Sequence, residues 1–318
     1  MTMTPAIVSV VVPTYNRPGY LRVALKSVVE QSYRHLEIIV QDNASELDSG
    51  AVVAAFADPR VSYHRNATNI GARENFLAGY RRCTGKYIAT LNDDDCWHPD
   101  FISTLVAKLE ADDDLVLAFC DHDIIDAEGR VNAAATADTT RRWGRDRLRE
   151  GVYRPFYEIA LVHRSICTAS AAMLRRDAFD FATVPPEIGI TIDLYVAYLA
   201  ARTGRGCYYV PQRLAGYRQH TNSQTSRFES VAWRITEARG AVFYWDRFLH
   251  DPAVLRGRRY FDMKRGFNAL IVVLGTLRQG KLRPALQYLR QFFGRGYIRP
   301  SIFIYYLVYA MRLRRLTA

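Results

Sequence analysis

The residues best placed for chemistry are the acids of Asn92-Asp93-Asp94-Asp95, which follow the apolar run Lys86–Leu91. Three successive carboxylates repel one another unless a positive charge sits among them. Hard oxygen donors of this kind suit Mg²⁺ or Mn²⁺, which keep waters and bridge to substrate phosphates. A solvated acidic loop would use the same residues, as Asp112-Asp113-Asp114 does at the opposite end of the predicted sheet. Two more polar clusters follow apolar runs: Pro13-Thr14-Tyr15-Asn16-Arg17 after Ile7–Val12, and Gln41-Asp42-Asn43-Ala44-Ser45 after Leu36–Val40. Asp42 in that context is equally a turn or cap residue. Farther along, Thr191 and Asp193 stand at the start of the apolar stretch that runs to Ala201, and Asp193 reads either as a catalytic carboxylate or as a helix cap.

These clusters need elements that bring them together. Short β-branched runs at Ile7–Val12, Leu36–Val40, Val61–His64, Lys86–Leu91 and Leu115–Cys120 read as strands. Between them Pro18–Gln31, Val52–Phe56, Ala72–Arg82 and Phe101–Glu110 carry apolar residues at helical spacing. Such alternation predicts βαβ units, a mostly parallel sheet and right-handed crossovers. Ligands in an open α/β sheet bind outside the carboxyl ends of the strands, so the three polar clusters predict one shared site. Residues 121–151 read as a long polar excursion and Ile166–Leu174 as a strand. Gly206–Val210 and Arg213–Tyr217 read as two short strands joined at Pro211. After His220 helices are expected at Phe228–Leu249, Ala253–Leu277, Lys281–Phe293 and Pro300–Leu316, with a boundary near Thr221–Arg227.

Composition removes several classes. The 318 residues are 49% apolar and 24% charged, close to soluble globular averages. Five scattered cysteines, none in a CxxC pair, argue against a disulfide framework or zinc module and fit a reducing cytoplasm. The N-terminus lacks the basic and apolar regions of a signal peptide. No GxGxxG, GxxxxGK[ST] or GxSxG occurs, so dinucleotide, P-loop and serine-hydrolase readings lose their fingerprints. The net charge of +11 is concentrated: His250–Ala318 holds fourteen Lys and Arg against two acids. A tail this basic seeks an anionic partner. Its basic residues alternate with long aliphatics, which fits a membrane surface and not nucleic acid. A helical cap on the catalytic domain and a homodimer interface remain open uses.

Four stretches in this order resemble the family 2 glycosyltransferases, the inverting family with a GT-A fold. They are VSVVVPTYNR ending at Arg17, SVVEQSYRHLEIIVQDNAS (27–45), NIGARENFLAGYRRCTGKYIATLNDDDCWHP (69–99) and TIDLYVAYLAARTGRGCYYVPQRLAGYRQH (191–220). The resemblance implies a GT-A catalytic domain over 1–225, with a nucleotide-sugar half (1–120) and an acceptor half (121–225). Residues 226–318 lie outside it as a basic, amphipathic helical region. It implies that Pro13, Tyr15 and Arg17 line the donor pocket with Asn69 and Arg73. Asp42 would bond the nucleobase, and its carboxylate suits the imide N–H of a UDP- or dTDP-sugar. Asn92 and Asp93 would meet ribose or sugar, and Asp94, Asp95 and His220 a divalent metal. Arg218 would lie near the diphosphate, and Asp193 would be the base. Asn92 replaces the first acid of the family's DxD motif, and Ile192 stands where a second acid often precedes the base.

The activity implied is inverting transfer of a sugar to a hydroxyl of a glycan or lipid-linked acceptor. It would serve cell-surface polysaccharide synthesis, in the cytoplasm or peripherally on the inner face of the cytoplasmic membrane. Two rivals stay in view. A nucleotidyltransferase would want a glycine-rich basic loop after the first strand. A non-catalytic glycosyltransferase-like subunit would bind a partner or membrane through the tail.

Overall fold

The computed structural model describes residues 5–178, 180–189, 191–220 and 230–298. The chain divides into two compact units, one of Met1–Val184 with Ile190–Thr221, the other of Pro185–Gly189 with Asn222–Ala318. The boundary expected near Thr221–Arg227 and the helix expected over Pro300–Leu316 lie outside the described residues.

The first unit is a mixed nine-stranded sheet flanked by helices. β1 (Val8–Thr14), β2 (Leu36–Asp42), β3 (Val61–Arg65) and β4 (Tyr87–Thr90) are parallel, with α1 (Pro18–Val29), α2 (Ser49–Ala54) and α3 (Ala72–Tyr80) as crossovers. The two-residue β5 (Cys96–Trp97) and α4 (Phe101–Ala111) lead to β6 (Leu115–Ile125). The full order is β3-β2-β1-β4-β8-β6-β9-β5, where β8 is Ala172–Arg175 and β9 is Gly206–Arg218, while β7 (Gly151–Tyr153) pairs β9. β8 runs antiparallel to both β4 and β6, and β6 is parallel to β9. The carboxyl ends of β1, β2, β4, β6 and β9 therefore share one edge of the sheet.

Hydrophobic periodicity explains the local elements. Leu21, Ala24, Leu25 and Val28 form the buried face of α1, and Pro18 occupies its first turn, where its missing N–H costs nothing. They pack on Val8, Val10, Val12, Ile38 and Val40. Each fully buried aliphatic of this kind contributes about 1.5–3 kcal/mol. Gly79 lets α3 approach β1: a Cβ there would lie 2.4 Å from Val11 Cγ1.

Three expectations are corrected. Residues 121–151 are not a featureless excursion. β6 continues to Ile125 beside β9, and α5 (Ala133–Arg142) follows with its Asn132 side chain accepting from Ala135 N. The polar half of β6 is tolerated because Asp121 meets the buried Arg145 at 2.8 Å and Thr140 Oγ1 at 2.9 Å. β9 is one strand of 13 residues, and a shift opposite Cys120–Asp121 leaves Pro211 and Gln212 unpaired, which accommodates the proline's missing donor. The strand expected over Ile166–Leu174 begins only at Ala172, because residues 169–171 form a tight 3₁₀ turn with the Thr168 hydroxyl accepting from Ser170 N.

The second unit is helical: α7 (Val231–His250), α8 (Arg258–Arg278) and α9 (Leu282–Gly294). Ile235, Ala238, Val242, Leu270, Val273 and Phe292 form its core. Gly240 on α7 sits against the Glu187 carbonyl, 2.5 Å from where a Cβ would stand.

Candidate active site

Asp93, Asp94 and Asp95 sit just past the end of β4, between the ends of β1 and β9, and each faces different partners. Asp93 is buried; its Oδ2 accepts from Thr14 Oγ1 (2.8 Å) and Tyr15 N (3.3 Å), both at the end of β1. Asp94 lies nearer solvent, with Oδ2 at 2.6 Å from Arg17 Nη1 and 3.1 Å from His220 Nε2. The same Arg17 nitrogen lies 3.0 Å from Asp93 Oδ1, so one guanidinium bridges two carboxylates. Asp95 turns inward, accepting from Ser170 Oγ (2.6 Å), Arg218 N (2.9 Å) and Asn92 Nδ2 (3.2 Å).

Burial first, and then the charge of Asp94, hold both Asp93 and Asp95 above the ordinary carboxyl range. Burial pulls the Arg17 guanidinium down, but Asp93 and Asp94 outweigh it and hold Arg17 above its ordinary value. An acidic cluster that draws a guanidinium between two carboxylates offers a cation position lined by oxygens. Asp94 and His220 fit a divalent ion that takes its other ligands from water and phosphate. Among the described residues no three His, Cys, Asp or Glu groups form a closed protein cage.

Asp193 stands in the first turn of α6 (Ile192–Ala201), but it does not cap the helix. Its Oδ2 accepts instead from Ala169 N at 3.1 Å. Burial pushes its carboxyl up to about 6, while the Ala169 amide and the Arg164 charge pull the other way. Arg164 is itself held in a left-handed conformation (φ 57°), with its guanidinium 5.2 Å from the centre of the Trp143 ring. A cavity of about 20 Å³ opens beside Asp193, lined also by Tyr80, Thr90, Thr168 and Val196. Ala169 and Ser170 are neighbours in one turn, so the turn that donates to Asp193 also donates to Asp95. Trp97 Nε1 secures that turn by donating to the Ser170 carbonyl at 2.6 Å.

Other expected site residues have different surroundings. The two oxygens of Asp42 are occupied: Oδ1 accepts from Ser45 N (2.9 Å) and Oγ (2.6 Å), and Oδ2 from Tyr63 OH (2.5 Å). With Asp42 fully buried, this is the turn chemistry its sequence context allows. Arg73 pairs with Glu74 and donates to the Val184 carbonyl, which holds its guanidinium within the fold. Arg218 donates to the carbonyls of Asp94 (2.7 Å), Asp126 (2.8 Å) and Ala127 (3.0 Å), so it braces the loops around the acids. Asn69 Oδ1 accepts from Asn43 Nδ2 and Gly71 N at the start of α3. Pro13 is half-buried beside Gln41 of β2, and Tyr15 is 39% exposed at the mouth. Asn16 (φ 55°) and Ala44 (φ 61°) hold the two neighbouring loops in left-handed turns, and Asn16 N donates to Ser45 Oγ.

Thr14, Ala169, Ser170 and Tyr20 are the contacts sequence reasoning missed. Tyr20 carries the His220 ring at 4.8 Å and the Arg218 guanidinium at 5.1 Å. Thr14 lies within the quoted PTYNR run and Tyr20 three residues past it, so both were within reach. Ser170 lies in an Ala-Ser-Ala-Ala stretch that carries no chemical signal.

The sequence model of "Glycosyl transferase family 2" matches residues 9–181. The GalNAc(5)-diNAcBac-PP-undecaprenol beta-1,3-glucosyltransferase of Campylobacter jejuni is 34% identical over 127 residues, covering 39% of this chain and 40% of that protein. The chain spans less than half the length of the curated relatives it matches. Among solved structures, S. aureus TarS 1-349 in complex with UDP-GlcNAc aligns with a TM-score of 0.64 at 14% identity, over 93% of this chain and 82% of that one. The mannosyltransferase PcManGT from Pyrobaculum calidifontis, in complex with GDP-Man and Mn2+, aligns with a TM-score of 0.59 at 19% identity, over 94% and 82%. These likenesses show the GT-A fold.

Proposed function

The chain belongs to glycosyl transferase family 2, and from that premise we propose that it moves a sugar from a nucleotide-diphosphate sugar to a hydroxyl of a glycan or lipid-linked acceptor, with inversion. The observation that carries this reading is one turn, Thr168–Ala171, touching both Asp95, next in sequence to Asp94, and a separate carboxylate whose pKa is pushed up to about 6. A base poised near neutrality is what removal of a proton from an acceptor hydroxyl requires, a contribution of typically ~10²–10⁴-fold. Asp193 takes that proton, and in-line attack from its side inverts the anomeric centre.

Asp94 and His220 would hold Mg²⁺ or Mn²⁺, which when bound offsets negative charge on the departing diphosphate. Arg17 lies against the same acids and supplies a second positive charge there. Tyr15, exposed at the mouth, offers a face for the base. The solved relatives' complexes with UDP-GlcNAc and GDP-Man support a nucleotide-sugar donor. The acceptor fits cell-surface polysaccharide synthesis. The fourteen basic residues after Leu249 support a peripheral place on the inner face of the cytoplasmic membrane. No described helix is long and apolar enough to cross a membrane.

The test is thermal stability with UDP, dTDP, GDP and CMP, each with and without Mn²⁺, for wild type and Asp94→Ala. A nucleotide at 100 times its Kd adds about 2.7 kcal/mol. Stabilisation by one nucleotide, dependent on metal and on Asp94, is expected. No stabilisation by any nucleotide would overturn the donor site.

A further inference from the structure

We propose that α9 is an interfacial helix that seats the C-terminal unit on an anionic lipid bilayer, its apolar stripe among the acyl chains and its arginines at the headgroups. This deepens the peripheral placement given above and rests on it, but not on the assignment of the donor site.

The two sides of α9 differ sharply. Ala285 and Phe292 are buried, and Tyr288 and Leu289 pack with them on the core of the C-terminal unit. Beside that face runs a second apolar row left exposed among the described residues: Leu282, Leu286 and Phe293 are 60%, 44% and 45% exposed. Their spacing of four and seven places them on one line along the helix. Arg283 and Arg290, seven residues apart, form the next row outward, and both are exposed. Neither makes an ion pair among the described residues. At the corner before α9, Leu277 is 41% exposed beside Arg278 and Lys281. Gly280, at φ 73°, makes the tight bend there.

Charge selects the occupant. After Asp262 the sequence contains no Asp or Glu, so α9 and the corner before it carry no acid to neutralise the arginines. A second copy seated on the stripe would set arginine rows against each other without a carboxylate between them. Nucleic acid would meet a polar basic stripe, not aliphatics exposed between arginines. A bilayer with anionic headgroups meets both demands at once, because arginine stems lie along the apolar surface while their heads stay at the phosphates.

The experiment uses the full chain and two vesicle preparations, phosphatidylcholine alone and phosphatidylcholine with about a third phosphatidylglycerol. Co-sedimentation is expected with the anionic vesicles only, falling as salt rises. Leu286→Glu with Phe293→Glu should abolish it, and Arg283→Gln with Arg290→Gln should weaken it about 10- to 30-fold. Nucleotide-dependent thermal stabilisation, read on the same preparations, reports folding and the donor site separately. Its absence with vesicle binding intact would count against the donor site alone. The proposal fails if wild type ignores anionic vesicles, or if the double glutamate variant binds them like wild type. It also fails if that variant only converts a dimer into a monomer, since the stripe would then be an interface between copies.

Discussion

Replacing Asp193 by asparagine should make the protein more stable and less active, with a pH dependence that identifies the cause. Holding this carboxyl ionised costs the fold about 3 kcal/mol, from roughly 1.4 kcal/mol for each pH unit between 3.8 and about 6. Partial solvent access reduces this to about 1–2 kcal/mol. The sign follows from a folded-state pKa above the unfolded one. Stabilisation by the bound proton is complete below about pH 4 and is lost as pH rises through about 6. Asparagine keeps an oxygen for the Ala169 amide and never ionises. Asp193→Asn should therefore match wild type near pH 4 and exceed it by about 1–2 kcal/mol at pH 8, a rise of a few degrees in Tm. Transfer, read as nucleotide released in the presence of acceptor, should fall by ~10²–10⁴-fold. Nucleotide-induced stabilisation should persist, and wild-type transfer should rise with pH through about 6 to a plateau. The reasoning is refuted if the two proteins share one Tm–pH curve, or if the variant transfers sugar at the wild-type rate.

Arg17→Ala leaves Asp93 and Asp94 facing each other without their shared guanidinium. Urea denaturation at pH 8 should show a loss on the order of 3 kcal/mol. Part of that loss should return at pH 5, where protonation relieves the repulsion, and an equal loss at both pH values would contradict the bridging role. Ser170→Ala removes the hydroxyl that donates to Asp95 at 2.6 Å. It should cost about 1–3 kcal/mol of stability by the same measurement, and a change below about 0.5 kcal/mol would show that water replaces the hydroxyl. Gly79→Ala drives a methyl into Val11 and should lower stability by about 1–3 kcal/mol. Val11→Ala in the same chain should restore part of it, and a failure to couple would place the strain elsewhere.

The strand–helix alternation of the first 120 residues was legible because it rests on periodicity. Val8–Val12 and Leu36–Val40 are apolar apart from Ser9 and Glu37 since both sheet faces are covered, and Leu21, Leu25 and Val28 repeat at helical spacing since only one face of α1 is. The acidic cluster at the end of β4 was legible for the same reason: it follows at once on the apolar run that marks the strand. Burial by sequence neighbours leaves a local trace.

What the tertiary structure decided is which polar groups meet. Asp94 and His220 are 126 residues apart and Asp95 and Ser170 are 75 apart, and their contacts exist because β8 returns beside β4 and β9 pairs with β5, just past the acids. Asp42 shows the other side of this. Its place at the end of β2 is written in the sequence, yet Tyr63 on β3 fills its second oxygen, and only the sheet order brings them together. Arg218 likewise donates to the carbonyls of Asp126 and Ala127, partners 92 and 91 residues away that only the fold supplies. A side chain's type is local, but its hydrogen-bond partner is set by the pairing of distant strands, and no periodicity records that pairing.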